Sequence, residues 1–253
     1  MAGAVSGWFA SLFRPAKALA NQRNAPPVIG IDDPRYDSFF AARAAVWSTC
    51  GKVDDDVIAY LISPEFNGAP AWPTTRQAFR VVRPEGSLII ASDGLSDLFV
   101  DTNLTQAGFE CEVYIESPDL AGSGFADIRS SWQFDLIESL ARNVADFGGI
   151  QGPISKYGIF SMELPAPATM PAHWLTQRGT VGALVNMTVP DRPARCQLDE
   201  GVEIRIVALT ILLPDETEYV VAGGAETRAE IAQRLISSGT GLTSPVDRPS
   251  VLA

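Results

Sequence analysis

Clustered carboxylates are the side chains of this sequence that could carry out chemistry. Glu110, Glu112, Glu116 and Asp119 lie close together in the chain, and Glu163 could complete an acid–base pair with one of them. Two carboxylates on opposite sides of a cleft can act as general acid and general base in hydrolysis. The sequence therefore leaves open a carboxylate-dependent hydrolase of unknown substrate, centred on Glu112 and Glu163.

The same carboxylates also fit a non-catalytic surface. Apolar and polar residues alternate between positions 108 and 115, which is typical of a strand with one buried face and one solvent-exposed face. The apolar set is Phe109, Cys111, Val113 and Ile115, and the other set is Glu110, Glu112 and Tyr114. We predict that the second set forms an acidic surface suited to a basic partner.

Other motifs for catalysis or metal binding are missing from the sequence. The single histidine, His173, cannot complete a multi-histidine metal site. No Gly-x-Ser-x-Gly elbow is present, and no phosphate-binding loop or Gly-x-Gly-x-x-Gly follows a strand. The adjacent residues Asp54, Asp55 and Asp56 point in different directions, so we interpret them as the start of a helix rather than as metal ligands. We predict no catalytic residue, no metal and no cofactor.

The composition argues for a folded protein that does not bind nucleic acid. Of the 253 residues, 46% are hydrophobic and 19% are charged, which is ordinary for a packed globular protein. The 30 acidic residues outnumber the 19 basic ones and give a formal net charge of -11, which would repel DNA or RNA. This charge favours a cationic partner, although acidity can also serve solubility alone.

Cysteine usage and hydropathy predict a cytoplasmic protein. The three cysteines, Cys50, Cys111 and Cys196, are odd in number and widely spaced, which argues against disulfides and for a reducing compartment. No apolar stretch is long enough to span a membrane, so we expect no stable membrane insertion. The N-terminal residues also lack the continuous apolar run of a secretory signal.

By composition, the chain divides into three parts. We predict an N-terminal amphipathic segment and linker over residues 1–27, a folded domain over 28–238, and a flexible tail over 239–253, which is rich in Gly, Ser, Thr and Pro. The first part leaves open contact with a membrane surface, with a partner, or with a second copy of the chain in a homo-oligomer. Its apolar and basic residues near helical spacing are Trp8, Phe9, Leu12, Phe13, Arg14 and Lys17.

Hydrophobic periodicity predicts an α+β fold. Helices are expected at 33–50, 130–147 and 226–236, the first with Phe39, Phe40, Arg43 and Trp47 at helical spacing. Strands are expected at 78–82, 87–91, 108–115, 157–164, 182–189 and 202–213. The last strand is apolar at nearly every position from Ile206 onward, as a central strand would be. Helices precede, interrupt and follow the strands without strict alternation, which is typical of α+β proteins.

Five stretches in the expected order resemble the suppressor-of-fused domain family. Residues 94–99 read GLSDLF and resemble the family's GLSDLY signature, and residues 108–115 resemble its GFGFELTF strand. Residues 136–147 are similar to its LxxLARYVF helix, and residues 202–212 to its FLQIVGVT strand. Pro214-Asp215-Glu216 and the helix after it lie where the family has an acidic turn followed by helices. The resemblance extends from about Pro34 to Ser237.

The resemblance implies a binding protein without enzymatic activity. It implies a mixed, largely antiparallel β-sheet packed against helices, as in the N-terminal half of the animal proteins, which hold a transcription-factor peptide along a sheet edge. Bacterial members are associated with toxin–immunity systems, so the partner here would be a protein or peptide such as a toxin. The sequence departs from the family at Phe99, where the signature has Tyr, and at residues 101–107, which replace a GPDGPSG-like loop.

The GLSD loop has two interpretations from its own residues. Asp93-Gly94 could simply make a turn while Asp97 caps backbone amides. Alternatively, the loop borders a binding surface, since loops on rigid scaffolds often carry recognition. The residues that we predict to contact a partner are Asp93, Asp97, Phe99, Glu110, Glu112 and Tyr114.

Overall fold

The protein is described by a computed structural model covering residues 27–253. The amphipathic segment predicted from the sequence therefore lies, apart from Pro27, outside the described residues. Among the helices of residues 27–253, none combines the length and the apolar character that crossing a membrane requires.

The described chain folds into helices and strands that follow most of the predicted pattern. Its α-helices are α1 (Arg35–Trp47), α2 (Phe125–Arg129), α3 (Trp132–Asp146), α4 (Gln151–Tyr157), α5 (Pro214–Gly223) and α6 (Ala225–Ser237). Its strands are β1 (Lys52–Ala59), β2 (Ala78–Arg83), β3 (Leu88–Ser92), β4 (Cys111–Ser117), β5 (Phe160–Pro165), β6 (Thr180–Met187), β7 (Arg195–Asp199) and β8 (Val202–Leu212). Short 3-10 helices occur at Pro64–Asn67, Pro118–Leu120 and Ala172–Trp174.

All eight strands belong to one mixed sheet, which confirms the predicted fold class. The strand order is β1-β2-β3-β4-β8-β6-β5, and β7 pairs with the first half of β8. Every pair is antiparallel except β4 and β8, which run parallel from the Cys111–Arg205 pair to the Tyr114–Ala208 pair. The central position of β8 agrees with its continuous apolar sequence.

Both faces of the sheet are covered, so the middle strands are buried on two sides. On one face α3 packs its apolar stripe, including Leu136, Ile137 and Leu140, against alternate residues of β2, β3, β4 and β8. On the other face α1, α5 and α6 cover the remaining residues of the same strands. A strand between two layers of helices buries every side chain, and all of the residues of β3 and β4 are buried.

The three adjacent aspartates do not begin a helix, contrary to the sequence interpretation. Asp54, Asp55 and Asp56 lie within β1, where the register against β2 shifts between Val53 and Val57. Strand β1 is at the edge of the sheet, and charged residues at a bulged edge discourage pairing with other chains. Asp54 forms an ion pair with Arg83 of β2 at 2.8 Å.

Residues 239–253 have little regular structure, as their composition predicts, but they pack on the domain rather than forming a free tail. Leu242, Ser244 and Arg248 are buried. The physical reason is an ion pair that the composition did not reveal, between Arg248 and Glu216 of α5 at 2.6 Å.

Gly182 lies at a close approach between the sheet and α5. A Cβ atom at this position in β6 would lie 1.9 Å from the hydroxyl oxygen of Thr217. We expect Gly182→Ala to reduce the free energy of unfolding by about 1–3 kcal/mol through overpacking. Gly152→Ala is the matched control, because a Cβ there meets nothing within 4 Å. Urea denaturation of both variants would measure the difference, and equal stability would contradict this close contact.

Candidate functional site

The GLSD loop begins directly after β3 and returns the chain toward the start of β4. Gly94 has a φ of 149°, and a Cβ there would lie 2.8 Å from the carbonyl oxygen of Arg76. Gly108 closes the other end of this connection, where a Cβ would lie 2.3 Å from the carbonyl oxygen of Leu95. Glycine at these positions lets the loop fold tightly over the sheet.

Arg43 of α1 is buried at the centre of this loop. Its Nε donates to Asp93 Oδ1 at 2.6 Å, its Nη1 to Ser96 Oγ at 3.0 Å, and its Nη2 to Asp97 Oδ1 at 2.8 Å. Its side chain has no exposed area. All three guanidinium nitrogens therefore have partners, as a buried arginine requires.

Glu112 of β4 accepts hydrogen bonds from the backbone of the same loop. Its Oε1 accepts hydrogen bonds from the Gly94 and Ser96 amides at 3.1 and 3.0 Å and from Ser96 Oγ at 2.6 Å. Its Oε2 accepts from Ser92 Oγ at 2.5 Å. The carboxylate that caps loop amides is thus Glu112, and not Asp97 as one interpretation of the sequence held.

Two further arginines balance the charge. Arg76 and Arg80 donate to Asp93 Oδ2 at 2.9 and 2.7 Å. Both guanidinium groups also lie over the ring of Phe40, at 4.6 and 4.3 Å from its centroid. We call the six charged residues the Arg43 cluster; it contains three arginines and three carboxylates, namely Arg43, Arg76, Arg80, Asp93, Asp97 and Glu112.

The carboxylates of the Arg43 cluster differ in their pKa values. Burial raises the pKa of Glu112 and of Asp97 above the ordinary carboxyl range, although Arg43 opposes the rise. Burial also disfavours ionisation of Asp93, but Arg43, Arg80 and Arg76 outweigh it and lower the pKa of Asp93. Asp93 is therefore the carboxylate that pairs with all three arginines.

An open groove lies beside the Arg43 cluster. Its cavity volume is ≈ 360 Å³, and it is lined by Ile31, Tyr36, Asp37, Phe40, Thr74, Arg76 and Asp97. Asp97 uses Oδ1 for Arg43, while its Oδ2 makes no hydrogen bond to any residue within 27–253. We call this feature the Asp97 groove. It combines the carboxyl groups of Asp37 and Asp97 with the guanidinium of Arg76, which is 37% exposed, and with apolar and aromatic walls, which suits a charged or hydrogen-bonding side chain flanked by apolar ones.

The structure separates the six predicted contact residues. Asp93, Asp97 and Glu112 come together in the Arg43 cluster, and of these Asp97 lines the groove. Glu110 is exposed, and its backbone has a φ of 56° just before β4 begins. Phe99 is half-buried and packs edge-on against Phe109 at 5.4 Å.

The prediction of an acidic, exposed face on β4 was wrong. Glu112 has 0% of its surface exposed, and Tyr114 is buried with its ring edge-on to Trp47 at 5.2 Å. Alternation predicts one wet face only when one side of a sheet lacks a covering layer. Here α1 covers that side and brings Arg43 to meet Glu112.

Glu112 and Glu163 do not share a cleft. Glu112 is on β4 and Glu163 is on β5, and β8 and β6 lie between these strands. At about 4.8 Å per strand, the backbones are roughly 14 Å apart, which exceeds the spacing of a glycosidase carboxylate pair. Glu163 instead bonds Arg178 and Thr180. Within residues 27–253, no group of three or more His, Cys, Asp or Glu residues is arranged to hold a metal ion.

The three arginines of the Arg43 cluster were not predicted as site residues from the sequence, and Arg43 carried the clearest signal. The signal was its position between Phe39 and Trp47, on the helix face that is otherwise apolar. An arginine on the buried stripe of a helix requires anionic partners elsewhere in the fold. The three carboxylates that serve it come from positions 93 to 112 in the sequence, so the pairing could not be predicted from local spacing.

Comparison with solved structures identifies the fold as that of suppressor of fused. A chain in the Sufu–Fu complex crystal structure aligns with a TM-score of 0.50 and 13% identity, covering 86% of this chain and 92% of that one. The crystal structure of Drosophila Suppressor of Fused aligns with a TM-score of 0.51 and 15% identity, covering 87% of this chain and 51% of that one. No family model matches the sequence. No curated protein matches it at a significant level.

Removal of Arg43 should lower the free energy of unfolding. Arg43→Met would leave three buried carboxylates without their shared cation, and breaking a buried ion pair from one side typically costs about 3–5 kcal/mol. We expect a loss of that order in the free energy of unfolding at pH 7, measured by chemical denaturation. Arg142→Met is the control, because its exposed pair with Glu138 should contribute only about 0.3–0.5 kcal/mol.

The loss should depend on pH. Removing Arg43 raises the folded-state pKa values of Glu112 and Asp97 further above their unfolded values. A carboxyl group whose pKa is higher in the folded state than in the unfolded state stabilises the folded state below its unfolded pKa. This stabilisation is lost as the pH rises through its folded pKa. The deficit of the variant should therefore shrink between pH 7 and pH 4.5. A deficit that is constant over this range would contradict the charge-balance account.

Proposed function

We propose, on the basis of its suppressor-of-fused fold, that this chain is a non-enzymatic protein-binding module. One of the similar structures is itself a protein complex, that of Sufu with Fu. The Asp97 groove supports the proposal most directly, because its base holds a carboxyl group, 3% exposed, that Arg43 keeps in place and whose second oxygen has no hydrogen-bond partner among residues 27–253.

The Arg43 cluster supports the proposal by making the groove rigid. Asp97 is fixed by Arg43, and the Ser96 amide beside it is fixed by Glu112. Because these residues are already ordered, a partner loses little conformational freedom on their side of the interface. Loops held rigid by a scaffold are typical of recognition sites.

The partner that fits best is a protein with a basic, apolar-flanked segment. The net charge of -11 would attract such a protein and accelerate its association. Ile31, which is exposed, and Phe40 offer apolar contact beside Asp97 and Asp37. In its most specific form, the proposal is that the chain acts as an immunity protein, which neutralises a toxin by covering it.

The compartment that we propose is the cytoplasm. Cys50, Cys111 and Cys196 are free thiols, and Cys111 and Cys196 are buried. Burial raises the pKa of the Cys196 thiol to about 11, which keeps it protonated and unreactive. Unpaired cysteines with this environment are compatible with a reducing compartment.

A binding measurement with groove variants tests the proposal. The bait is the protein encoded next to this chain's gene, and the readout is its affinity by calorimetry. We expect Ile31→Lys to weaken binding at least tenfold, which is about 1.4 kcal/mol, because it removes an apolar contact and repels a basic partner. Val221→Lys is the matched control, since Val221 is 62% exposed and Ile31 is 60% exposed, and Val221 lies outside the groove.

The same complex should weaken as the salt concentration rises, because its charges are screened. Equal losses for the two variants would show that the Asp97 groove is not the interface. If the bait were chemically converted rather than held, the non-enzymatic assignment itself would be overturned.

A further inference from the structure

The parallel strands β4 and β8 separate at their carboxyl ends, and the C-terminal segment fills the opening. The two strands stop pairing after Tyr114 and Ala208, although β8 continues to Leu212. Beyond that point, the free backbone edge of β8 is met by Ser244, whose Oγ accepts from the Ile211 amide at 3.0 Å. On the other side of the opening, Asp119, which follows β4, accepts from the Val246 amide at 3.0 Å. We call residues 242–253 the strap.

A pocket on the domain holds one side chain of the strap, Arg248. Its Nη1 and Nη2 donate to the two oxygens of Glu216 at 2.7 and 2.6 Å, and Nη2 also donates to the Ile211 carbonyl at 3.0 Å. The guanidinium carbon lies 5.1 Å from the centroid of the Trp174 ring. The side chains of Arg248 and Glu216 are 3% and 0% exposed. The pocket thus offers a bidentate carboxylate, a carbonyl and an aromatic face.

This set of groups is selective for arginine. A planar guanidinium can form two parallel hydrogen bonds to a carboxylate while its face lies on an indole. A lysine ammonium is a point charge that cannot satisfy both at once. Glu216 is completely buried beneath the strap, so a segment that covered this site without supplying a cation would bury the carboxylate unpaired.

The strap is held mainly by side chains and not by a strand ladder. The Val246 carbonyl accepts from the Trp174 indole at 3.2 Å and from His173 Nε2, while the Val251 amide donates to Glu216 at 2.9 Å. Gly239 and Gly241, with φ of 81° and 60°, form the turn that leads into the strap. In addition, Arg248 Nε is buried without a hydrogen-bond partner among residues 27–253. One of the three guanidinium nitrogens of Arg248 is therefore unpaired within the pocket.

We propose that Glu216, Trp174 and the Ile211 carbonyl form an arginine-binding site for extended peptide segments, which the chain occupies with its own Arg248. The strap opens as a unit at Gly239–Gly241, and an arginine-bearing segment of a partner protein takes its place. This site lies at the end of β4 opposite the Asp97 groove, since Asp93 follows β3 next to the start of β4 and Asp119 follows its end. The inference goes beyond the proposed function and does not depend on it.

Hydrogen exchange on the unmodified full chain tests the opening. We expect the amides of Val246 and Val251 to exchange at least tenfold faster than those of β8, because the strap opens while the sheet stays folded. Exchange of the strap at the same rate as β8, under conditions where exchange reports stability, would overturn the proposal, because the strap would then open only on global unfolding.

Peptide binding tests the specificity of the pocket. The probe is a fluorescent peptide with the sequence of residues 244–253, SPVDRPSVLA, added to the full chain and to its Arg248→Ala variant. We expect the variant to bind the peptide at least tenfold more tightly than the unmodified chain, whose pocket is filled. Peptides with alanine or lysine in place of the arginine should bind at least tenfold more weakly.

Arg142→Ala removes an exposed arginine from α3, away from the strap, and should bind the peptide no better than the unmodified chain. If the arginine and alanine peptides bound equally, the pocket would have no selectivity and the proposal would fail. If Arg248→Ala does not fold, competition by excess arginine peptide, seen as faster exchange of the strap in the unmodified chain, decides the question.

Discussion

The burial of Arg43 is the constraint on which the candidate site depends. A guanidinium group in the core is tolerated only where acceptors surround it, because an unpaired buried charge costs several kcal/mol. Asp93, Asp97 and Ser96 supply those acceptors, and Glu112 fixes the loop that carries them. The loop therefore cannot move without exposing or orphaning a charge. What looks like a surface loop in the sequence is in this way part of the core.

The elements whose hydrophobic period matches their burial could be predicted from the sequence. Helix α3 has a continuous apolar stripe and a serine N-cap, and β8 has the unbroken apolar run of a central strand. The residues of the GLSD signature were also identified correctly as a tight loop after a strand. Local pattern was sufficient in these cases because each element satisfies its own hydrogen bonds and buries its own stripe.

Prediction failed where burial was decided by distant parts of the chain. Glu112 and Tyr114 alternate with apolar residues as an exposed face would, but α1 brings Arg43 and Trp47 over that face. Asp54 lies in an edge strand since Val53 and Val57, on either side of the acidic run, pair with β2. The C-terminal residues pack because Arg248 finds Glu216, which is 32 positions away in the sequence. None of these partners is within the reach of a helical or strand period.

Arg43 and Arg248, two of the three buried arginines, differ in how completely their hydrogen-bond donors are paired, and this difference has a consequence for function. Arg43 comes from a helix, and each of its three nitrogens donates to a side chain, so no competing segment could improve on it. Arg248 comes from a segment without regular structure and leaves its Nε unmatched. Glu216 requires a cation beside it, and an arginine of another segment can supply that cation as well as Arg248 does. Arg248 can therefore be exchanged, whereas Arg43 cannot. The domain therefore has a rigid site at one end of β4, the Asp97 groove, and a site with an exchangeable arginine at the other end, beside Glu216. It can bind one partner at the first site and respond to a second partner at the other.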